Sequence, residues 1–253
     1  MPIRDAKQIR EDYTNGNRNF IAIKLPEVDL SGINLSGADF SNSDFSDADL
    51  TNANLSGVNL SNANLSGTNL VGANLSEANL TSAKLSEANL SNANLSCANL
   101  SKIDANRAFL FCANLSQANL DGAFLFSASL SYACLIHANM KYVSLIGANL
   151  VGADLSKADL TGSYLIVTDL SSANLTKANF SQVDLNSSNL SASNLTKANF
   201  NGADLSWVNL LDTNLSEVNL SRAKLADAIL PDGFNVNYSG SFNNLKSSVV
   251  NKT

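Results

Sequence analysis

The chain has 253 residues, a formal net charge of −6 and a hydrophobic content of 45%. The negative charge argues against a general nucleic-acid binder, which is usually basic, so we expect no direct binding of nucleic acid. No run reaches the ~18 apolar residues of a membrane span, and the charged start MPIRDAKQIRED lacks the apolar core of a signal peptide. We therefore expect a cytoplasmic protein with no membrane span.

Residues 1–17 are predicted to form a short helical cap. Ala6, Ile9 and Tyr13 lie at helical spacing, and Asn15 with Gly16 supplies a stop signal. We expect this helix to cover the apolar end of the element that follows it.

Residues 18–231 carry a large apolar residue at every fifth position. From Phe20 to Leu230, 41 of the 43 positions divisible by five hold Leu or Phe, and the exceptions are Ala105 and Met140. Two residues earlier the side chain is usually Ala, one earlier it is Asn or Asp, and one later it is usually Ser or Thr. A period of five matches neither the 3.6 of a helix nor the 2 of a strand. A solenoid that turns a corner every five residues places each Leu and each Ala inside, and such repeats must stack on one another.

This run of A(N/D)LSx repeats resembles the pentapeptide repeat family over about four-fifths of the chain. The segment IREDYTNGNRNF also resembles the leader of many cyanobacterial members. The resemblance implies an all-β protein, a right-handed quadrilateral parallel β-helix with four pentapeptides, and hence about 20 residues, in each coil. Residues 20 apart would then stack at the spacing of paired strands, about 4.8 Å. The preceding helix would cap the first coil, which otherwise exposes its core and unpaired strand groups.

Two departures from the repeat concern the fold itself. Ala105 replaces the axial Leu while Ile103 replaces the usual Ala, which we interpret as a swap of volume between two inward positions. After residue 231 the period ends, and residues 232–253 are rich in Asn, Ser and Gly. We expect this segment either to fold over the last coil or to form a disordered tail.

An apolar strip interrupts the polar outer positions in the middle of the repeat. Phe126, Ile146 and Ile166 are 20 residues apart and directly follow an axial Leu, with Val167 at the same corner. An exposed apolar patch of this kind usually marks an interaction site. Stiffening of the rod by stacked rings, or coverage by the C-terminal segment, are alternatives. The predicted partner-binding residues are Phe109, Phe111, Phe124, Phe126, Tyr132, Ile146, Tyr164 and Ile166.

A lysine ridge is the second surface feature that the 20-residue period brings together. Lys157, Lys177 and Lys197 share one corner column, which His137 precedes by one coil. We expect a solvated edge with Asp154 and Asp159 near Lys157, or a contact for an anion or an acidic partner. His137 has no Cys, Asp or Glu cluster around it in the sequence, and the three cysteines lack metal spacing. The sequence therefore predicts no metal and no cofactor.

These features favour a non-catalytic scaffold for protein–protein interaction. There is one His and no Gly-rich phosphate loop, so we expect neither an enzyme nor a catalytic residue. The partner is an unknown protein or a second copy of the chain. The alternative is a DNA mimic that binds or protects DNA gyrase, as some members of the family do. The lysine ridge and the predominance of Asn over Asp before the axial Leu speak against this alternative, and a gyrase supercoiling assay tests it.

Overall fold

The computed structural model describes residues 5–234, which form one helix followed by a stack of coils. Helix α1 spans Ala6–Thr14. It begins where the Asp5 carboxylate accepts a hydrogen bond from the backbone N–H of Gln8 at 2.8 Å, which satisfies one of the free donors of the first turn.

The helix covers the first coils, as its apolar spacing predicts. Ile9 is fully buried in the core, and the Tyr13 hydroxyl donates to the Ser36 carbonyl at 2.9 Å. The Arg18 guanidinium lies 3.6 Å from the centre of the Tyr13 ring. The division of the chain at residues 17 and 231 stays a prediction, and the terminal segment lies outside the described residues beyond position 234.

Nearly every pentapeptide forms a parallel bridge to the residue 20 positions away, and Asn214 is the exception among the described repeats. The bridges extend from the pair Asn19 and Asp39 to the pair Asn209 and Ile229. Within residues 5–234 no strand is longer than a single bridge, because each side of the coil holds only three residues before the next turn begins. The predicted β-helix is therefore confirmed in a coarser form, as four-sided coils of 20 residues joined by isolated parallel bridges.

A turn with a left-handed residue closes every pentapeptide. In a typical repeat the Ala53 N–H donates to the Leu50 carbonyl at 3.0 Å. The second turn residue has a positive φ in every repeat from Ala22 to Asp227, with values between 52° and 71°. Turns of this kind favour Gly and Asn at that position, because other side chains are strained there.

The core is the stack of axial residues together with the small residues that precede them by two. Phe40 stacks on Phe20 with ring centres 4.8 Å apart, and Phe200 stacks on Phe180 at 4.9 Å. These distances equal the spacing of neighbouring strands. Ile103 and Ala105 are both buried, which agrees with the predicted exchange of volume between inward positions. Each fully buried Leu contributes roughly 1.5–3 kcal/mol, so the long apolar axis stabilises the rod.

Asparagine ladders connect the coils on the outer surface. Asn119 donates to the Asn99 Oδ1 at 3.3 Å and accepts from the Asn139 Nδ2 at 2.8 Å. The same Asn119 Oδ1 also accepts the backbone N–H of Asp121 at 3.2 Å. One Asn thus satisfies a turn and ties three successive coils together, which explains its repetition before the axial Leu.

Candidate functional site

The structure stacks Phe126, Ile146 and Ile166 along one edge of the rod. The Ser127 N–H donates to the Ile146 carbonyl at 3.0 Å, and the Gly147 N–H donates to the Ile166 carbonyl at 2.9 Å. Phe126 is half exposed, whereas Ile146 and Ile166 are partly buried. The three side chains form a continuous apolar ridge over three coils.

The other strip residues lie on the two sides that meet at this edge. Phe124 and Tyr164 each bridge to Ser144, which lies between them, and both rings are about half exposed. Phe109 lies on the next side, also exposed. At the far edge of that side Phe111 and Tyr132 pack edge to face, with ring centres 5.9 Å apart and planes at 79°. The strip therefore spans two adjacent sides over four coils.

Other large apolar side chains are exposed near the strip, and apart from Val167 the sequence did not single them out. Val167 and Trp207 share one turn column two coils apart, and each is 61% exposed. Tyr142 is exposed at the outer edge of the side that holds Phe124, and Leu211 lies in the turn column of Phe111. Most of these residues occupy the second turn position, where the 20-residue spacing could have revealed them.

The backbone of Val167 is strained. Its φ is 57°, a left-handed value that is unfavourable for a β-branched residue. Its side chain is also exposed, so burial does not offset the strain. Outliers of this kind tend to cluster at functional sites.

The strip also lacks hydrogen bonds that most repeats make, although the N–H groups of Ser86, Ser131 and Ile136 lack the same acceptor. In a regular repeat the Asn149 Oδ1 accepts the N–H of Val151 at 3.0 Å. Phe109, Ser144 and Tyr164 stand where Asn or Asp would provide this acceptor. The N–H of Phe126 binds the Asn106 Oδ1 of the preceding coil at 2.8 Å instead. Among residues 5–234 no side chain or carbonyl accepts the N–H groups of Phe111, Ile146 and Ile166.

Comparison with known proteins identifies the repeat. Pentapeptide repeats match in eight copies, at residues 19–52, 43–81, 73–110, 108–141, 138–176, 163–202, 173–212 and 198–232. The chain is 36% identical to HetL, a pentapeptide repeat protein involved in heterocyst differentiation regulation from the cyanobacterium Nostoc sp. strain PCC 7120, over 91% of this chain and 99% of HetL, with a TM-score of 0.71. The chain belongs to the pentapeptide repeat family.

Two further solved structures resemble this pentapeptide repeat protein. The pentapeptide repeat protein alr5209 from Nostoc PCC 7120 is 39% identical over 41% of this chain and 84% of its own, with a TM-score of 0.39. QnrB1, a plasmid-mediated fluoroquinolone resistance protein, is 21% identical over 85% of this chain and 94% of its own, with a TM-score of 0.32. The QnrB1 likeness concerns the fold alone. No curated protein matched the chain.

The lysine ridge of this pentapeptide repeat protein lies on the edge opposite the apolar ridge. The turns at Val167 and Lys177 are ten residues apart, which is two of the four sides of a coil. His137, Lys157, Lys177 and Lys197 are all exposed. Lys197 pairs with Glu217 at 3.5 Å. The expected proximity of Asp159 to Lys157 yields no ion pair, because Asp159 binds Lys141 at 3.3 Å instead.

Carboxylates border the strip. Asp104 bridges to Phe124 one coil before it, and Asp184 bridges to Tyr164 one coil after it. Asp169 lies on the side that holds Phe109, three coils further along. Arg107 lies on the same edge as Phe126 and is paired with Glu87 at 3.3 Å. The strip thus has an apolar centre and an acidic border.

Other kinds of site find no support in the part of the chain that is described. Residues 5–234 contain no group of three His, Cys, Asp or Glu side chains placed to hold a metal ion. Cys97, Cys112 and Cys134 are free thiols. No helix in this range is long and apolar enough to cross a membrane.

Proposed function

We propose that this protein is a non-catalytic rigid rod that binds a protein partner through the apolar strip. The proposal includes the right-handed quadrilateral winding of its family for the whole rod. The observation that carries it is the contiguous exposure of aromatic and aliphatic side chains on two sides of a solenoid whose outer positions are otherwise mostly Asn, Asp, Ser and Thr. Patches of this kind on a soluble protein mark interaction surfaces.

Local costs at the same place support a functional role over simple stiffening of the rod. Val167 is strained and exposed. The N–H groups of Ile146 and Ile166 lack the acceptor that a regular repeat provides. Rings that only stiffened the rod would not need to replace asparagines that already tie the coils together. A partner that covers the strip would bury the exposed Val167 side chain and could accept hydrogen bonds from these two N–H groups.

The rod holds the backbone of these residues in fixed positions. Each one is anchored by a turn, and in most repeats also by backbone hydrogen bonds of 2.6–3.1 Å to the next coil. A surface that is already ordered loses little conformational entropy when it binds, which favours affinity. Aromatic side chains are enriched at the centres of such interfaces.

The experiment compares the full-length wild type with the variant Phe126→Ser/Ile146→Ser/Ile166→Ser. Ser is the usual residue at these three positions, so we expect the variant to fold, with an unchanged circular dichroism spectrum. The matched control is Ile136→Ser, which changes the same turn position on the lysine-ridge edge. The first measurement is the solution mass by light scattering, where we expect a monomer for all three proteins.

The second measurement is binding to a displayed library of random peptides of about 12 residues. We expect the wild type and Ile136→Ser to enrich peptides that the triple variant no longer binds. Peptides that bind the triple variant equally well would contradict the proposal. A wild-type dimer that becomes monomeric in the triple variant would also contradict it, because the strip would then be an interface between two copies of the chain.

A further inference from the structure

The strip also indicates the chemistry of its partner. We infer that the strip binds a polypeptide segment that carries Arg or Lys beside aromatic or branched aliphatic anchors. This inference rests on the proposed function and narrows it to one class of partner.

Charge is the first argument. Between residues 103 and 191, the charged residues on the two sides that carry the strip and on the edge they share are Asp104, Asp169, Asp184 and Arg107. The one cation, Arg107, is paired with Glu87 at 3.3 Å. Three carboxylates therefore border the apolar centre with no unpaired cation among them.

The remaining cations of this region lie outside the two sides and their shared edge. Lys102 and Lys141 are at the outer edge of the side that holds Phe124, where Lys141 binds Asp159 at 3.3 Å. Lys157 and Lys177 are on the opposite edge. A partner with Arg or Lys is therefore attracted to the strip, and an acidic partner is repelled from it.

The exposed rings add to this preference. Tyr164, Phe124 and Tyr132 present rings that are more than half exposed. A guanidinium over an exposed aromatic ring gains about 0.5–1 kcal/mol, and more once the pair is shielded from water. Asp184 is the bridge partner of Tyr164, so one Arg could stack on the ring and bind the carboxylate together.

Hydrogen bonding is the second, independent argument. The N–H groups of Phe111, Ile146 and Ile166 have no acceptor among residues 5–234, so water must satisfy them in the free protein. Burying such a group without an acceptor costs about 1–3 kcal/mol. The carbonyl groups of a polypeptide can replace the water, whereas the acyl chains of a lipid cannot. The strip therefore fits a polypeptide better than a membrane surface.

The experiment uses the peptides selected on the full-length wild type, together with charge variants of the protein. We expect the enriched peptides to be net positive and to combine Arg or Lys with aromatic or branched aliphatic residues. The variant Asp104→Asn/Asp169→Asn/Asp184→Asn removes the acidic border. Asn stands at this position in most repeats and keeps the Oδ1 acceptor for the turn, so the fold is expected to persist. Its affinity should fall about tenfold.

The matched control is Asp29→Asn/Asp39→Asn/Asp154→Asn, which makes the same chemical change at the same repeat position away from the strip. It should leave the affinity within about twofold of the wild type. Fluorescence polarisation of labelled peptides measures the dissociation constant of each variant. Added salt should weaken binding to the wild type.

The outcomes separate the inference from the proposed function. Enrichment of neutral or acidic peptides that still require Phe126, Ile146 and Ile166 would overturn the inference and leave the proposed function standing. Equal affinity of the two Asp→Asn variants, or no enrichment, would also overturn the inference. If the wild type co-sediments with phosphatidylcholine vesicles, the triple variant does not, and no peptide binds, then the partner is a lipid surface and the inference is overturned.

Discussion

The ring of Tyr132 lies over Gly152, the residue at the same turn position one coil further along. A Cβ atom on Gly152 would stand 2.6 Å from the Tyr132 Cε1, closer than real contacts allow. Tyr142 lies over Gly162 in the same way, with 2.8 Å between the added Cβ and its Cε1. Glycine at these turns therefore does more than accept a positive φ, since it leaves room for a ring to lie flat along the rod.

Gly152→Ala should destabilise the protein and displace the Tyr132 ring. The matched control is Gly122→Ala, because Gly122 and Gly152 have φ values of 65° and 66° and the nearest atom to the added Cβ of Gly122 is 3.8 Å away. Both variants should lose about 1–2 kcal/mol from the left-handed backbone. Gly152→Ala should lose more because the ring must move.

Urea unfolding of the two variants measures this difference. The extra loss in Gly152→Ala should disappear in a Tyr132→Ser background, because the ring that the methyl group displaces is then absent. An equal loss in Gly152→Ala and Gly122→Ala in the wild-type background would show that the ring moves without cost.

Val167→Asn should stabilise the rod and weaken partner binding. Asn tolerates the left-handed conformation that strains Val167, and it stands at the same turn position at Asn42, Asn52 and Asn62. The expected gain in unfolding free energy is about 1 kcal/mol. Ala192→Asn is the control, since Ala192 has a φ of 56° without a branched side chain and should gain less. The urea midpoints of both variants measure these two gains in stability. A loss of stability in Val167→Asn would mean that the valine makes favourable contacts.

Tyr164→Asn should also stabilise the fold and weaken partner binding. The new Oδ1 can accept the N–H of Ile166, as the Asn149 Oδ1 accepts that of Val151 at 3.0 Å. One restored hydrogen bond contributes about 1 kcal/mol. At the same time the variant loses an exposed ring of the strip, so its affinity for selected peptides should fall.

Tyr164→Ser separates the two effects. Ser144 occupies the same column and leaves the N–H of Ile146 without an acceptor, so a Ser at position 164 should lower affinity without stabilising the fold. Equal unfolding free energies of Tyr164→Asn and Tyr164→Ser would indicate that the turn bond is not restored.

The period of five predicted most of the fold. It identified the inward Leu and Ala positions. The 20-residue coil, and with it the placement of Phe126, Ile146 and Ile166 on one edge, came from the resemblance to the pentapeptide repeat family. Helix α1 followed from the spacing of Ala6, Ile9 and Tyr13. These predictions succeeded because one repeated pattern fixes the burial and the turn of each pentapeptide.

The details of the surface depend on contacts between coils, which the pattern alone does not give. The sequence could not show that the Tyr132 ring lies along Gly152, or that Asp159 pairs with Lys141 instead of Lys157. It also did not reveal that the N–H of Ile166 has no acceptor because Tyr164 stands where most repeats have Asn. Each of these depends on side-chain directions between neighbouring coils.

Acidification should destabilise the rod through aspartates whose carboxylates accept hydrogen bonds. Burial alone would raise the pKa of Asp44, but hydrogen bonds from the hydroxyl and N–H of Ser46 and from the Asn64 amide outweigh it and lower the pKa below its ordinary value of 3.8. The pKa values of four other carboxyls are lowered as well, at Asp29, Asp39, Asp159 and Asp204. A lowered pKa stabilises the folded state fully above the unfolded value, and this contribution is lost as the pH falls through the folded value.

We therefore expect the urea midpoint of the wild type to fall as the pH drops below about 4. Asp44→Asn keeps an Oδ1 acceptor for Ser46 and cannot be protonated in this range, so its midpoint should fall less between pH 7 and pH 3. Asp159→Asn should behave in the same way, although it also removes the ion pair with Lys141, which at an exposed position is worth only about 0–1 kcal/mol. A pH dependence in Asp44→Asn as steep as that of the wild type would mean that the Asp44 carboxylate gains nothing from the bonds it accepts.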